Sequence, residues 1–276
     1  MPDLKLSSSE MRKIQLDLLD SFVEICSKNN LRYFLIGGSL LGAVRHSGFI
    51  PWDDDIDIGM PRQDYDMFLS LCDGELPSHY DLVHYTRQPK VNSDFIKIED
   101  LRTKIYDASK ELRSRDAGIF IDIFPLDASP DKEILYNLQI ATYRIGRFLV
   151  SLAITLDKPR SGWKQAIINC VKYFLHGESL VAVRGSLERL IRKPWTQNTK
   201  WVCNYLGVWG SKERFPRAWI FDDIVTLEFE NKNYPVISSY RAYLSNLYGD
   251  YMQLPSLIER EEARHFTNVY WRERPF

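Results

Sequence analysis

The sequence predicts an α+β protein, a mixed sheet with flanking helices followed by a mainly helical C-terminal part. Three observations lead there. Short apolar or alternating runs bounded by Gly, Pro and Asn recur through the first 125 residues. Apolar residues then recur at helical spacing from Asp131 to about Lys193. No repeat, low-complexity tract or linker divides the chain, so a core over residues 1–128 and a helical part over residues 129–276 are expected to pack as one unit.

Taken in order, Ser7-x-x-Glu10 is a capping box, and Met11, Ile14, Leu18, Phe22 and Ile25 form one apolar face until Asn29-Asn30 closes the helix. Arg32 to Ile36 is a short apolar run into Gly37-Gly38, which reads as a buried strand entering a tight turn; Ser39 then caps a short helix through Arg45. Asp53 to Met60 alternates in its second half, Ile56 and Ile58 to one side and Asp55 and Asp57 to the other, and Pro61 ends it. Gln63 to Cys72 reads as helix. Tyr80 to Tyr85, Asp94 to Ile98 and Gly118 to Phe124 carry the β-branched and aromatic content of strands. Ile134, Leu138, Ala141, Ile145 and Phe148 mark the first of three helices, Ile224 to Phe229 alternates like a strand, and Ser238 to Tyr248 reads as a final helix.

Composition narrows the function classes. Hydrophobic residues at 45% and charged residues at 26% are ordinary for a globular domain, which argues against a disordered or coiled-coil chain. The 13% aromatic content is high; core filling explains it more readily than ligand-contacting surfaces. Lys and Arg total 36 against 37 Asp and Glu, so no positive field gathers nucleic acid, which is excluded as main partner. Cys26, Cys72, Cys170 and Cys203 form no CxxC pair and read as buried thiols in a reducing compartment. The polar N-terminus lacks an apolar signal region, and the nine-residue run Phe148 to Leu156 is too short to span a bilayer, so a cytoplasmic protein is expected.

The chemistry concentrates in residues 36–60, IGGSLLGAVRHSGFIPWDDDIDIGM. Asp53, Asp54, Asp55 and Asp57 repel one another and need cations or a metal when partly buried. On a strand, Asp55 and Asp57 would face one side about 6.6 Å apart, a span that Mg²⁺ bridges through carboxylate oxygens. Gly37-Gly38-Ser39 lets backbone N–H groups and a helix N-terminus approach a phosphate, because glycine has no Cβ in the way. Alone, such a Gly-Gly-Ser is ordinarily a turn and such an acidic run a solvated loop; their order, apolar strand, glycines, short helix, acidic strand, points to a phosphate and metal cradle. Arg45 and His46 are candidates to steady a phosphate or leaving group, against solvated helix-end residues; Lys97, Arg102 and Lys104 to offset phosphate charge, against an ordinary cationic face. Trp52 is a candidate to pack on a quaternary ammonium or a base, with core packing as the alternative.

This stretch resembles the hG[GS]…hDhDh signature of the nucleotidyltransferase fold. LLGAVRHSGFIPWDDDIDIGM together with GIFIDIFPLD closely resembles the LicD family of phosphocholine transferases, itself related to fukutin-related protein, a ribitol-phosphate transferase. The resemblance covers residues 8–127 and, less specifically, residues 243–255. Fifteen residues separate Ser39 from Asp55, longer than in typical nucleotidyltransferases and suited to the LicD subgroup. It implies that Asp55 and Asp57 bind Mg²⁺ or Mn²⁺ with a third carboxylate, for which Asp122 fits best, flanked by Phe120 and Phe124; Asp127, Glu99 and Asp116 are reserves. It further implies a CDP-activated alcohol such as CDP-choline as donor, held at Gly37, Gly38 and Ser39. The acceptor would be a sugar hydroxyl of a cell-surface glycan or teichoic acid precursor, bound with the help of residues 129–276, with CMP released. A polyprenyl-linked acceptor would bring segment 134–180 to the inner face of the membrane, and Arg264-His265 is a further candidate by family habit. The alternatives are a nucleotidyltransferase that releases pyrophosphate from an NTP and a catalytically silent nucleotide-binding scaffold.

Overall fold

In the computed structural model, residues 5–91, 93–106, 117–154, 162–192, 199–222, 225–262 and 268–272 are described. The expected capping box forms: Ser7 Oγ accepts the Glu10 N–H and the Glu10 carboxylate accepts the Ser7 N–H. It starts α1 (Ser8–Lys28), which Asn29 closes. There follow β1 (Phe34–Leu35), α2 (Gly37–His46), β2 (Asp57–Pro61), α3 (Arg62–Glu75), β3 (Tyr80–Val83), β4 (Ile96–Asp100), β5 (Thr103–Tyr106) and β6 (Phe120–Ser129). The three expected helices are α4 (Glu133–Ile154), α5 (Trp163–Phe174) and α6 (Gly177–Ile191). The chain continues through β7 (Trp201–Cys203), a 3-10 turn at Gly210–Glu213, β8 (Arg214–Pro216), α7 (Ala218–Phe221), β9 (Val225–Phe229), β10 (Lys232–Val236), α8 (Tyr240–Tyr248), α9 (Leu257–Glu262) and β11 (Asn268–Trp271).

The main sheet runs in the order β3-β4-β6-β2-β1-β10-β9, with β7 and β8 continuing from β6. It is mixed, as expected: β2 with β6 and β1 with β10 are parallel, the other pairs antiparallel. β11 pairs with β5 in a separate ribbon. On one face of the sheet α1 and α3 bury Leu18, Leu19, Phe22, Tyr65 and Phe68, and the Phe22 and Phe68 rings meet at 4.9 Å. Each such side chain contributes about 1.5–3 kcal/mol on leaving water, which fixes the sheet on a rigid base. The opposite face of β4, β6 and β2 is left for chemistry.

Several elements differ from the sequence reading. Helix α2 begins at Gly37, so the glycines are its first turn rather than a turn before it, and Ser39 lies inside the helix instead of capping it. Strand β2 begins only at Asp57, because an Ile50–Asp53 turn leads into it and pairing with β6 starts with the Asp122 N–H on Ile56 O; Asp55 therefore precedes the strand. The sequence reading assigns neither strands β5, β7, β8, β10 and β11 nor helices α7 and α9. Helix predominates after residue 129, yet β10 inserts beside β1 in the middle of the sheet. Cys26, Cys72 and Cys203 are buried thiols, whereas Cys170 is exposed on α5.

Candidate active site

The register across β4, β6 and β2 builds the site. Lys97 lies opposite Asp122, and Asp122 opposite Asp57, so three charged side chains stand in a row on one face of neighbouring strands. Period-two alternation sends Ile121 and Ile123 to the core and Phe120, Asp122 and Phe124 to the row's face, which borders a cavity of about 450 Å³. Lys97 Nζ donates to both Asp122 oxygens, at 2.7 and 3.0 Å, and lies 3.7 Å from the centroid of Phe120 and 4.9 Å from that of Phe95. Both members of the pair are buried. The lysine thus offsets the cost of placing a carboxylate between phenylalanines.

The acid run closes the row. Asp57 is open to the cavity and otherwise enclosed, and burial together with Asp55, Asp122 and Asp53 pushes its carboxyl well above the usual range. Asp53 is pushed up to about 8, by burial first and by neighbouring Asp55 next, with which it shares a hydrogen bond. The start of α2 explains the glycines: a Cβ on Gly37 would come within 2.6 Å of Asp57 Oδ2, and one on Gly38 within 2.6 Å of Asp53 Oδ2. Gly37 also adopts φ +52°, which glycine takes without strain. The Gly38 N–H donates to Asp57 Oδ2 at 3.3 Å, placing a carboxylate on the positive end of α2. Ser39 Oγ accepts the Asp57 N–H at 2.8 Å, so it anchors the first residue of β2 from below the cavity.

Further lining comes from Arg147 on α4, Asn204, Leu206 to Trp209, Glu213, and Leu247 and Tyr248 on α8. Arg147 is held by Asp94 at 2.7 Å, and Asp94 also binds Arg184, whose guanidinium reaches the carbonyls of Pro89, Val91 and Ser93. That network locks α4 and α6 to the strand side. Five acidic side chains line the cavity against two cationic ones, Lys97 and Arg147. Added positive charge would relieve the mutual repulsion of these acids and draw a diphosphate in, and the carboxylate oxygens suit hard divalent cations. Among the described residues no three acidic, histidine or cysteine side chains already converge on one metal position.

Of the residues singled out from sequence, Gly37, Gly38, Asp55, Asp57, Asp122 and Lys97 meet at the cavity. Arg45 and His46 end α2 away from its lining; Arg45 donates to Tyr251 O at 3.1 Å. Lys104 lies on β5 over the Tyr106 ring, and Arg102 pairs with Asp100. Trp52 also lies outside the lining, where the guanidiniums of Arg45 and Arg260 approach its ring at 5.7 and 4.4 Å. Asp127 is committed to Arg62 through two hydrogen bonds, Glu99 is buried outside the lining, and Asp116, Arg264 and His265 fall outside the described residues. The sequence reading does not single out Arg147, Asn204, Trp209, Glu213 or Tyr248; packing brings them in, and only Tyr248 lies in a segment, residues 243–255, that carries any family resemblance.

A family model described as LicD/FKTN/FKRP, nucleotidyltransferase domain, matches residues 30–145. The chain is 32% identical over 281 residues to the lipopolysaccharide cholinephosphotransferase LicD of Haemophilus influenzae, a match covering 96% of this chain and 98% of that protein. It is 32% identical over 143 residues to an uncharacterized protein of Rickettsia typhi, covering 51% of this chain and 43% of that one. It is 36% identical over 77 residues to the human ribitol 5-phosphate transferase FKRP, covering 28% and 16% respectively.

Proposed function

This chain belongs to the LicD family, and we propose that it transfers phosphocholine from CDP-choline to a sugar hydroxyl of a cell-surface glycan precursor, releasing CMP. The observation that carries the reading is the Lys97–Asp122–Asp57 row beside the start of α2, all facing one cavity. Asp55 and Asp57, with Asp122, would hold Mg²⁺ or Mn²⁺, which when bound supplies positive charge to the donor diphosphate. Lys97 and Arg147 add positive charge around the diphosphate, while the start of α2, whose Gly38 N–H is held by Asp57, fixes that carboxylate at the cavity. Asp122 accepts the hydrogen bond of the acceptor hydroxyl and takes its proton. The acceptor oxygen bonds to phosphorus as the bond from phosphorus to the CMP oxygen breaks, and that electron pair leaves with CMP. The protein's share is positioning and electrostatics.

Incubation of the purified protein with Mg²⁺, CDP-choline and a glycan acceptor is expected to release CMP in step with choline incorporation. Pyrophosphate from an NTP would favour a nucleotidyltransferase instead, and nucleotide binding without either product would favour a silent scaffold.

The proposal extends to a lipid-carried acceptor. On α4, Ile134, Leu138 and Phe148 are exposed, and on α5 so are Trp163, Tyr173 and Phe174, an apolar and aromatic surface accompanied by Lys164 and Lys172. Among the described residues no helix is long and apolar enough to cross a membrane, so this face would lie on a bilayer surface. The protein is expected to float with vesicles containing anionic lipid, and Phe148→Asp with Trp163→Asp to stay in the dense fraction. Wild-type protein remaining there would reject membrane contact.

A further inference from the structure

We propose that Trp209, Tyr248 and Glu213 form the receptacle for a quaternary ammonium head on the donor alcohol. The inference rests on the CDP-alcohol reading above and adds to it the residues that select a cationic alcohol over a neutral one. Trp209 and Tyr248 both line the cavity, with ring centroids 5.0 Å apart and planes at 79°, so they make two walls of a corner. Glu213 lines the same cavity at 3% exposure. Its carboxylate accepts hydrogen bonds from the Trp209 backbone N–H, at 3.0 Å, and from the Asn204 side chain, both neutral donors. No lysine or arginine among the described residues forms an ion pair with it. The loop accommodates the carboxylate only because residue 207 is glycine, where a Cβ would collide with it.

Burial pushes the Glu213 carboxyl up to about 7, so its charged form is favoured only when a cation comes to it. The surroundings indicate which cation. A divalent metal needs several oxygens, and Asn204 Oδ1 is already taken by the Leu206 N–H. A primary ammonium needs three acceptors, whereas a trimethylammonium has no N–H and is held by aromatic faces and a diffuse counter-charge. The Trp209 ring already attracts Lys212 Nζ to 5.7 Å, although that ammonium also reaches Leu247 O. Trp52, the aromatic residue that sequence alone suggests, has two arginines against its ring and lies outside the cavity lining.

The test compares binding of CDP-choline with that of CDP-glycerol, whose alcohol is neutral and whose diphosphate carries the same charge, by calorimetry in Mg²⁺. Wild-type protein is expected to prefer CDP-choline by at least about tenfold. Glu213→Gln and Trp209→Ala are each expected to bring that ratio close to one with CDP-glycerol affinity within about twofold, and Trp209→Phe to restore most of it. Trp209 is 41% exposed, so its truncation leaves the core intact if the Glu213 variant fails to fold. A wild-type preference that both variants keep would overturn the receptacle and leave the transferase reading standing. Equal wild-type affinities would also overturn the receptacle alone. Wild-type protein that binds neither ligand would overturn the transferase reading and the receptacle with it.

Discussion

Asp57→Asn is expected to lower phosphocholine transfer on the order of 10³-fold or more while leaving the fold at least as stable as the wild type. The two halves of this prediction have one cause. Asp57 sits among Asp53, Asp55 and Asp122, and burial with that repulsion raises its carboxyl well above the ordinary range. A raised value in the folded protein means that the folded state binds the proton more tightly than the unfolded chain does. Stability is then complete at pH values below the ordinary carboxylate value and is lost as pH rises toward the raised one. In chelator at neutral pH, asparagine removes that loss and keeps an oxygen to accept the Gly38 N–H. A gain of about 1 kcal/mol, roughly 2–4 °C in Tm, is expected, and it should shrink at pH 5. Activity requires the opposite, a charge to hold the cation and through it the diphosphate. Calorimetry and CMP release measured together decide the matter: an active variant would remove Asp57 from the metal site, and a variant that melts well below wild type would make its role structural.

The legible parts of the molecule are those where local sequence and global packing agree. The capping box of α1 and the helical stretch that holds α4 to α6 follow from side-chain spacing alone, and the structure contains both. The acidic pair and the glycines were visible because repulsion and close approach leave a compositional trace. What was hidden is register. The alignment of Lys97 with Asp122 and Asp57 depends on three strands from different parts of the chain, and nothing near Lys97 in sequence announces its partner. The β9–β10 hairpin was hidden for another reason. Its turn residues Glu230 and Asn231 both adopt positive φ, the geometry of a two-residue hairpin, without the Asn-Gly pair that advertises it, and Pro235 argues against a strand. The aromatic corner at Trp209 and Tyr248 belongs to the same class, since it joins a loop to a helix nearly forty residues later.

Lys97→Met tests whether the row works as a unit. Methionine fills the space between Phe95 and Phe120 with little change of volume, so the substitution removes charge rather than packing. It leaves Asp122 buried without its partner, which is expected to cost about 3–5 kcal/mol. Asp122→Asn alone strands the ammonium and is expected to cost a similar amount. In the double variant neither charge remains, and most of the stability should return, giving a coupling of at least about 2 kcal/mol by denaturant titration. Transfer should not return, because the row then lacks both the cation beside the diphosphate and the acceptor for the hydroxyl proton. Recovery of activity with stability would assign the pair to the fold alone. Additive single costs would mean that water already separates the two charges, contrary to their 2.7 Å contact. The contrast between recovered stability and lost activity distinguishes a buried ion pair kept for folding from one kept for catalysis, since removing both charges relieves only the first.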